Sequence, residues 1–244
     1  MTTRAEIKGW VKPFLASRPD VVLAHRAILV APTHHLARGM YFRATSSRTW
    51  PEVAWFFEIL FAAPGSWNTE FDRRFYLGDS TAPDFAVKLG RTMQDSFEHY
   101  LLPVVSIADF HDFATGETRR FTFLNLDDYG LEHGTVLAAL GRLDEAEAVL
   151  SATIADCEKM AAAEQREDDE LRTTRPRRHG VIVLDVARRK MAIVERVKEL
   201  MARVETRNRA AIAELLHSWE RLQVEKREIA HLWEPTPFPV EAEA

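Results

Sequence analysis

The chain has only one cysteine, Cys157, among its 244 residues. A single thiol cannot form an internal disulfide or a cysteine-based zinc site, and this sparse use is typical of a reducing compartment. No stretch reaches the ~18 apolar residues that a transmembrane helix needs, and the first residues lack the apolar core of a signal peptide. We therefore expect a soluble, cytoplasmic protein with no membrane partner.

A large excess of positive charge is also missing. The chain has 32 Lys and Arg against 37 Asp and Glu, which gives a formal net charge of -5. Dedicated nucleic-acid-binding domains usually carry a strong basic excess, so nucleic acid is not the expected partner. The 46% share of hydrophobic residues and the 28% share of charged residues are typical of a globular protein with its own core.

The sequence contains none of the short motifs that identify common enzyme classes. There is no G-x-S-x-G nucleophile elbow, no Walker loop, no G-x-G-x-x-G dinucleotide fingerprint and no H-E-x-x-H zinc motif. Cys157 lies within a predicted helix and has no base near it in the sequence. We therefore expect no cofactor, and a catalytic function has less support than a binding function.

Two clusters of acidic residues and histidines are the candidates for metal-dependent chemistry. Their candidate ligands are Asp109 and His111, within residues 109–112, and Asp128, Glu132 and His133, within residues 128–133. Adjacent residues on a helix point in different directions, and of these only Asp128 and Glu132 share a face. No metal site is predicted, and a metal-dependent hydrolase using the two clusters is kept as an alternative function.

The first 120 residues combine strand and helix patterns. A capping box formed by Thr3 and Glu6 opens a helix over residues 4–17. Apolar and alternating runs predict strands at residues 21–31, 36–46, 53–62 and 71–77, and helical periodicity returns at residues 84–103 and 106–113. The pattern predicts an α+β domain over residues 1–120, with an N-terminal antiparallel sheet and flanking helices.

An α-helical hairpin is predicted over residues 121–164. Its helices cover residues 128–140 and 143–163, and Gly141 stands at the turn between them. Residues 165–180 read as a charged linker that is first acidic and then basic. The arginines of its basic part could contact phosphates, so a nucleic-acid-binding accessory protein using residues 172–190 is a second alternative; these arginines are Arg172, Arg175, Arg177 and Arg178.

Residues 181–234 contain neither glycine nor proline and are predicted to be helical. A heptad seam runs through them, and its members together with two tryptophans are the predicted interaction residues: Val194, Met201, Asn208, Leu215, Trp219, Leu222, Ile229 and Trp233. One continuous helix would be roughly 75 Å long. The segment therefore either projects towards a partner or folds back at a bend within residues 205–208. Residues 235–244 are expected to form an extended, mobile acidic tail.

The run HLARGMYFRATSSRTWPEVAWFFEILFAAP, followed by FDRRFYLG, resembles the opening of a family of uncharacterised bacterial proteins. The matching positions are Arg38, Gly39, Ser46, Ser47, Pro64, Leu77 and Gly78, followed by Leu140, Gly141 and Arg142 in a tetratricopeptide-like helical hairpin. The likeness covers roughly residues 5–160. It implies an α+β domain with a helical hairpin and an accessory or immunity-type role, and it implies no catalytic residue.

These observations favour a non-enzymatic protein–protein interaction module, an accessory or immunity-type subunit of a bacterial complex. It would dock a protein partner, or a second copy of itself, through its helical C-terminal half at residues 181–234. The hydrolase and the nucleic-acid-binding protein described above are the two alternatives.

Overall fold

The computed structural model describes residues 2–43, 45, 47, 49–65, 70–116, 129–174 and 180–242, without the side chains of residues 70–71, 167–174 and 180–190. The chain divides into two compact units. Unit 1 contains Met1–Leu60, Thr69–Asn125 and Val224–Thr236, and unit 2 contains Phe61–Asn68, Leu126–Gln223 and Pro237–Ala244.

Unit 1 contains an antiparallel sheet whose strands follow one another in chain order. They are β1 (Val21–Ala24), β2 (Ala27–Val30), β3 (Leu36–Arg43), β4 (Glu52–Ile59) and β5 (Glu70–Tyr76). This sheet, with the helices described below, confirms the predicted α+β class. The prediction of a single strand over residues 21–31 is wrong, because the chain reverses at His25 and Arg26 and pairs Ala24 with Ala27.

One face of the sheet is covered by helices. They are α1 (Arg4–Ser17), α2 (Phe85–Ser96), which continues as a π-helical turn over Phe97–Leu101, and α3 (Ile107–Thr115). The predicted Thr3–Glu6 capping box at the start of α1 is confirmed. Alternate residues of β4 point into this layer, where the Trp55 ring stacks on Tyr100 at 5.3 Å and the Phe57 ring lies 5.8 Å from Phe110.

The opposite face of the sheet is covered in part by residues 224–236. Val224 and Ile229 are buried there against Phe56 and Leu60. The segment is fixed at its end by an isolated parallel bridge, in which Thr33 N donates to Leu232 O at 2.7 Å and Glu234 N donates to Thr33 O at 2.9 Å. The part of this face that the segment leaves open forms the candidate site described below.

Unit 2 is built mainly from four described helices: α4 (Gly130–Ala139), α5 (Leu143–Thr174), α6 (Gly180–Glu205) and α7 (Arg209–Lys226, of which residues 209–223 belong to this unit). The predicted helix end at Ala163 is wrong, since α5 continues through the acidic stretch to Thr174. Glu, Leu and Arg are good helix formers, so a run of charges does not end a helix as glycine or proline would. The remaining residues of the predicted linker, 175–179, lie outside the described residues.

The long segment after Gly180 forms two helices instead of one. The bend predicted within residues 205–208 is confirmed, because α6 ends at Glu205 and α7 begins at Arg209. Arg207 adopts a left-handed conformation with φ of 54°, and the Asn208 side chain accepts a hydrogen bond from Ala211 N at 3.1 Å. Asn208 therefore caps the start of α7.

The expectation of an extended, mobile tail is wrong for residues 238–241. Phe238 and Val240 are buried, and Pro239–Glu241 forms a short 3-10 helix. The Phe238 ring meets the Phe61 ring edge-on at 5.1 Å, and Glu241 Oε1 lies 2.9 Å from His217 Nε2. The tail is acidic overall, but its two large apolar side chains gain more from burial than an extended segment would allow.

Candidate binding site on the open face of the sheet

Most of the predicted interaction residues lie inside the chain's own units. Val194, Leu215 and Trp219 are buried in unit 2, and Ile229 is buried on the sheet of unit 1. Met201 and Trp233 are half-buried, and Asn208 caps a helix. Of the eight, Leu222 is the apolar side chain that is exposed, at 53%. Packing within each unit thus accounts for the seven-residue repeat.

The first candidate metal cluster is used for local structure. Asp109 Oδ2 accepts hydrogen bonds from Ser106 Oγ at 2.7 Å, from Ser106 N at 2.9 Å and from Val105 N at 3.1 Å. The Ser106 hydroxyl, with the two backbone N–H groups, holds the pKa of Asp109 below its ordinary value, although partial burial acts the other way. His111 is buried, and its Nδ1 lies 3.2 Å from Asp112.

The second candidate cluster lies only partly within the described residues. Asp128 lies outside the described residues, while Glu132 is buried and His133 is half-buried on α4 in unit 2. Asp109 and His111 belong to unit 1. In the part of the chain that the structure describes, no three side chains of His, Cys, Asp or Glu are grouped so that they could hold a metal ion.

The predicted phosphate-binding arginines lie outside the described side chains, and the described helices bear on the membrane expectation. The side chain of Arg172 and all of Arg175, Arg177 and Arg178 lie outside the described residues, so the nucleic-acid surface stays a prediction. Among the described helices, none is long and apolar enough to cross a bilayer.

A concave pocket of about 340 Å³ opens on the partly covered face of the sheet, within unit 1. We call it the sheet-face pocket. Its apolar lining residues are Ala24, Ala27, Leu29, Ala37, Phe56 and Ile229, and its polar lining residues are His25, Arg26, Tyr41, Arg43, Glu58 and Arg227. This volume falls in the range of small-molecule sites, and an apolar floor with a few polar groups is their usual composition.

The hollow arises from small residues at paired positions of neighbouring strands. In the register, Ala24 lies opposite Ala27, Ala27 opposite Tyr41, and Ala37 opposite Glu58. Short alanine side chains leave space between the larger Tyr41 and Phe56. Gly39, which lies between Leu29 and Phe56 in the register, belongs to the same face. A Cβ at Gly39 would lie 2.0 Å from Ile28 O, so the close approach of β2 to β3 requires glycine there.

An ion pair forms one wall of the sheet-face pocket. Glu58 on β4 is only 4% exposed, and its Oε1 accepts a hydrogen bond from Arg227 Nε at 2.8 Å and another from Arg227 Nη2. A buried carboxylate needs a charged, hydrogen-bonding partner. Arg227 supplies that partner from the segment that covers the sheet.

Arg26 forms another wall and is less fully paired. Its Nε donates to Phe42 O at 3.0 Å, while its Nη2 is buried and has no hydrogen-bond partner among the residues that the structure describes. Arg43 is exposed and lies 3.4 Å from Glu52. Three arginines and one glutamate line the pocket, so its formal charge is about +2 with His25 neutral, in a chain whose net charge is -5. The lining favours an anion.

Beyond the pocket, the open face carries a polar network and the exposed Tyr76, and Trp50 is exposed in the segment that leads into β4. Tyr41 Oη donates to Asp72, and Arg74 Nε lies 3.4 Å from Glu52 and 3.5 Å from Asp72. Slight burial lowers the pKa of Arg74, but the two carboxylates outweigh it and raise that pKa overall. We call the exposed residues of this region the aromatic–arginine surface; they are Arg43, Trp50, Arg74 and Tyr76.

Tyr76 and Trp50 are the most exposed side chains of the aromatic–arginine surface. Tyr76 is 80% exposed and lies opposite Glu52 in the register, and Trp50, which is 55% exposed, stands two residues before Glu52 in the chain. Cross-strand pairing fixes the backbone beneath Tyr76 and Arg74, because both belong to β5.

No sequence motif points to the pocket or to this surface. One signal was present: Glu58 interrupts an otherwise apolar run, and a carboxylate in a buried strand requires a cationic partner. Which cation it would be could not be read from the sequence, since Arg227 stands 169 residues further along the chain.

Comparison of the chain with protein-family models, with curated proteins and with solved structures gives no match. The resemblance to an uncharacterised bacterial family therefore stays a prediction.

Proposed function

We propose that this chain is a non-enzymatic protein–protein interaction module, an accessory or immunity-type subunit that recognises one protein partner. The observation that carries the proposal is the aromatic–arginine surface of unit 1. Tyrosine, tryptophan and arginine are the residue types that dominate the binding energy of protein interfaces. Here Tyr76 on β5 is 80% exposed, and Trp50, two residues before the start of β4, is 55% exposed.

The charges of this surface define the kind of partner. Arg43 and Arg74 are both within 3.4 Å of Glu52, and Arg74 is also near Asp72. Two arginines and two carboxylates cancel, so the surface gives no strong attraction to a highly charged polymer. It suits a protein patch of apolar and hydrogen-bonding groups that packs on the two aromatic rings.

The strands hold three of the four residues of the aromatic–arginine surface in place before any partner arrives, since Arg43 belongs to β3 and Arg74 and Tyr76 belong to β5. β5 pairs with β4 from Glu70 to Tyr76, and the side chains of Glu52 and Asp72 orient Arg74. Surfaces that are already ordered lose less conformational entropy on binding. We therefore expect binding with little backbone rearrangement in unit 1.

Docking through residues 181–234 stays a second version of the same proposal. Among the side chains described in this segment, Leu222 is a large apolar one that is exposed, and it would serve a partner or a second copy of the chain. A cytoplasmic location is also part of the proposal and is supported by a single, buried cysteine. The metal-dependent hydrolase stays an untested alternative. The carboxylate of Asp109, one of its candidate ligands, already accepts a hydrogen bond from Ser106 at the start of α3.

The test is affinity purification of the tagged 244-residue chain from its own cells, followed by reconstitution of a complex with each recovered protein in pure form. We compare the wild type with Trp50→Ala/Tyr76→Ala, with Leu222→Asp, and with Met160→Ala, which removes an equally exposed apolar side chain in unit 2. Loss of two aromatic anchors should weaken binding about a hundredfold, whereas Met160→Ala should leave it unchanged.

Each outcome either identifies one of these surfaces as the binding interface or excludes it. Loss of the reconstituted complex with Trp50→Ala/Tyr76→Ala supports the aromatic–arginine surface. Loss with Leu222→Asp alone moves the interface to the helical half, and a concentration-dependent dimer in sedimentation that Leu222→Asp abolishes makes the partner a second copy. If no protein reconstitutes a complex and the chain sediments as a monomer, the interaction proposal is wrong.

A further inference from the structure

We infer that the sheet-face pocket binds a carboxylate monoanion attached to an apolar body. This goes beyond the proposed function, because it concerns a different set of residues and holds whether or not the aromatic–arginine surface binds a protein. The residues that carry the inference are Arg26, Glu58 and Arg227 on the polar wall and Ala27 and Phe56 on the apolar floor.

The guanidinium of Arg26 provides the attraction for an anion. Nε donates to Phe42 O, and Nη2 is buried and has no acceptor within the described part of the chain, although Arg26 lines the pocket. A buried donor without an acceptor is unfavourable, and a charged donor more so. A carboxylate that enters the pocket would give this guanidinium the acceptor that the described residues do not provide.

The second arginine on the polar wall explains why the ligand should carry a single negative charge. Arg227 is already neutralised by Glu58, through Nε at 2.8 Å and through Nη2. The Glu58 carboxylate itself lines the pocket, and it would repel the second charge of a phosphate dianion. A carboxylate carries one charge, and its two oxygens match the planar fork of a guanidinium.

The floor of the pocket explains the apolar body. Six of the twelve lining residues are apolar, and alanines on β1, β2 and β3 create the depth. An apolar ligand body in this pocket of about 340 Å³ would remove the apolar floor from water. A small hydrophilic anion would leave that floor hydrated. Hexanoate, an apolar chain ending in a carboxylate, is small enough to enter a space of this volume.

The same chemistry has two possible sources. One is a free organic acid, and the other is the C-terminal carboxylate of a protein whose last residue is apolar. Both present a carboxylate next to an apolar group, so both would contact Arg26 and the alanine floor alike.

The first experiment uses isothermal titration calorimetry on the full chain with hexanoate, hexanamide and inorganic phosphate as probes. Hexanamide has the same apolar body without the charge, and phosphate has charge without the body. We expect saturable one-to-one binding of hexanoate, with a dissociation constant at least about tenfold lower than that of either other probe. Equal binding of hexanoate and hexanamide, or tighter binding of phosphate, would overturn the inference without any variant.

The second experiment compares variants with the same probes. Arg26→Met should raise the dissociation constant of hexanoate about tenfold or more, and Arg26→Lys should restore part of the loss. Ala27→Leu, which fills the floor, should weaken both hexanoate and hexanamide. Arg91→Met is the matched control, because Arg91 is an exposed arginine of unit 1 on α2 that does not line the pocket. Unchanged hexanoate binding by a folded Arg26→Met protein would contradict the inference.

The third experiment identifies the source. An acetylated peptide ending in Ala-Ala-Leu with a free carboxylate is compared with its C-terminal amide and with hexanoate. Binding by the carboxylate peptide and not by the amide indicates a chain terminus, and binding by hexanoate alone indicates a free acid. The Trp50→Ala/Tyr76→Ala protein should bind hexanoate normally, so failure of the proposed function and failure of this inference can be told apart. If none of the carboxylate probes binds, the inference about the sheet-face pocket is wrong.

Discussion

Arg227 Nε lies 2.8 Å from Glu58 Oε1, and this ion pair fastens the segment after α7 to the fourth strand of the sheet. Glu58 is buried, whereas Arg227 is part-exposed. Removing one residue of the pair should therefore destabilise the protein more than removing the other. Removing the arginine leaves a buried carboxylate with part of its charge uncompensated, while removing the charge of the glutamate leaves an arginine that can turn to water.

The first prediction concerns this asymmetry. Arg227→Met should lower the free energy of unfolding by about 2 kcal/mol, a value reduced from that of a fully buried pair because Arg227 is part-exposed. Glu58→Gln should cost less, and the double variant should cost less than the sum. Urea unfolding of the four proteins measures the coupling. Strictly additive losses would show that the pair does not stabilise unit 1.

The second prediction compares two glycines in unit 1. A Cβ at Gly39 would lie 2.0 Å from the backbone oxygen of Ile28, whereas nothing lies within 4 Å of a Cβ at Gly90 on α2. Gly39→Ala should therefore destabilise the protein by about 3 kcal/mol through a forced shift of β2 against β3. Gly90→Ala should stabilise it by about 0.5–1 kcal/mol, since alanine is the better helix former. Thermal unfolding of both variants, side by side, checks the sign of each change.

The third prediction separates two roles of Asn208. As the cap of α7, its Oδ1 accepts from Ala211 N at 3.1 Å. Asn208→Ala and Asn208→Leu should each cost about 1 kcal/mol, and Asn208→Asp should be nearly neutral. A polar residue in a coiled-coil seam behaves oppositely, because leucine there strengthens the association. Urea unfolding together with sedimentation distinguishes the roles, and a more stable, associated Asn208→Leu protein would contradict capping.

The fourth prediction concerns pH. Hydrogen bonds from the Ser106 hydroxyl and from two backbone N–H groups hold the pKa of Asp109 below its ordinary value. A carboxyl group with a lowered pKa in the folded state stabilises the fold above its unfolded pKa of about 4, and this contribution is lost as the pH falls through the folded value. Asp109→Asn should therefore be less stable than the wild type at pH 7 by about 1 kcal/mol.

Between pH 7 and pH 2 the difference between Asp109→Asn and the wild type should shrink, because the wild-type carboxyl gains a proton as the pH falls. Asp95→Asn, which removes an exposed carboxylate on α2, is the control variant. A gap between wild type and Asp109→Asn that is the same at both pH values would show that charge does not contribute to the cap.

Local patterns explain why so much of the fold was predictable. The α+β class, the helix opened by Thr3 and the bend before Arg209 all depend on signals within a few residues of each other. The turn at His25 was missed because neither His nor Arg is a usual turn residue, although His25 adopts φ of 53°. The interruption of the apolar run by these two polar residues was its only trace.

The candidate site was not predictable in the same way. A seven-residue repeat fits a coiled coil and also fits a helix that packs inside its own domain, so Val194 and Leu215 could not be placed from spacing alone. The sheet-face pocket requires the register that sets Ala37 opposite Glu58, and it requires a segment from beyond residue 223. No local sequence pattern predicts the register of the strands or the packing of residues beyond 223 against this sheet.

Because the ribosome makes the chain from its N-terminus, the apolar sheet face is synthesised well before the segment that covers it. Phe56 on β4 and Leu60, directly after that strand, leave the ribosome roughly 160 residues before Val224, which helps to cover them. At about 5–20 residues per second, this apolar face waits roughly 8–30 s for its cover. During that interval it is a natural substrate for a chaperone, and slower translation of the helical region would lengthen the exposure.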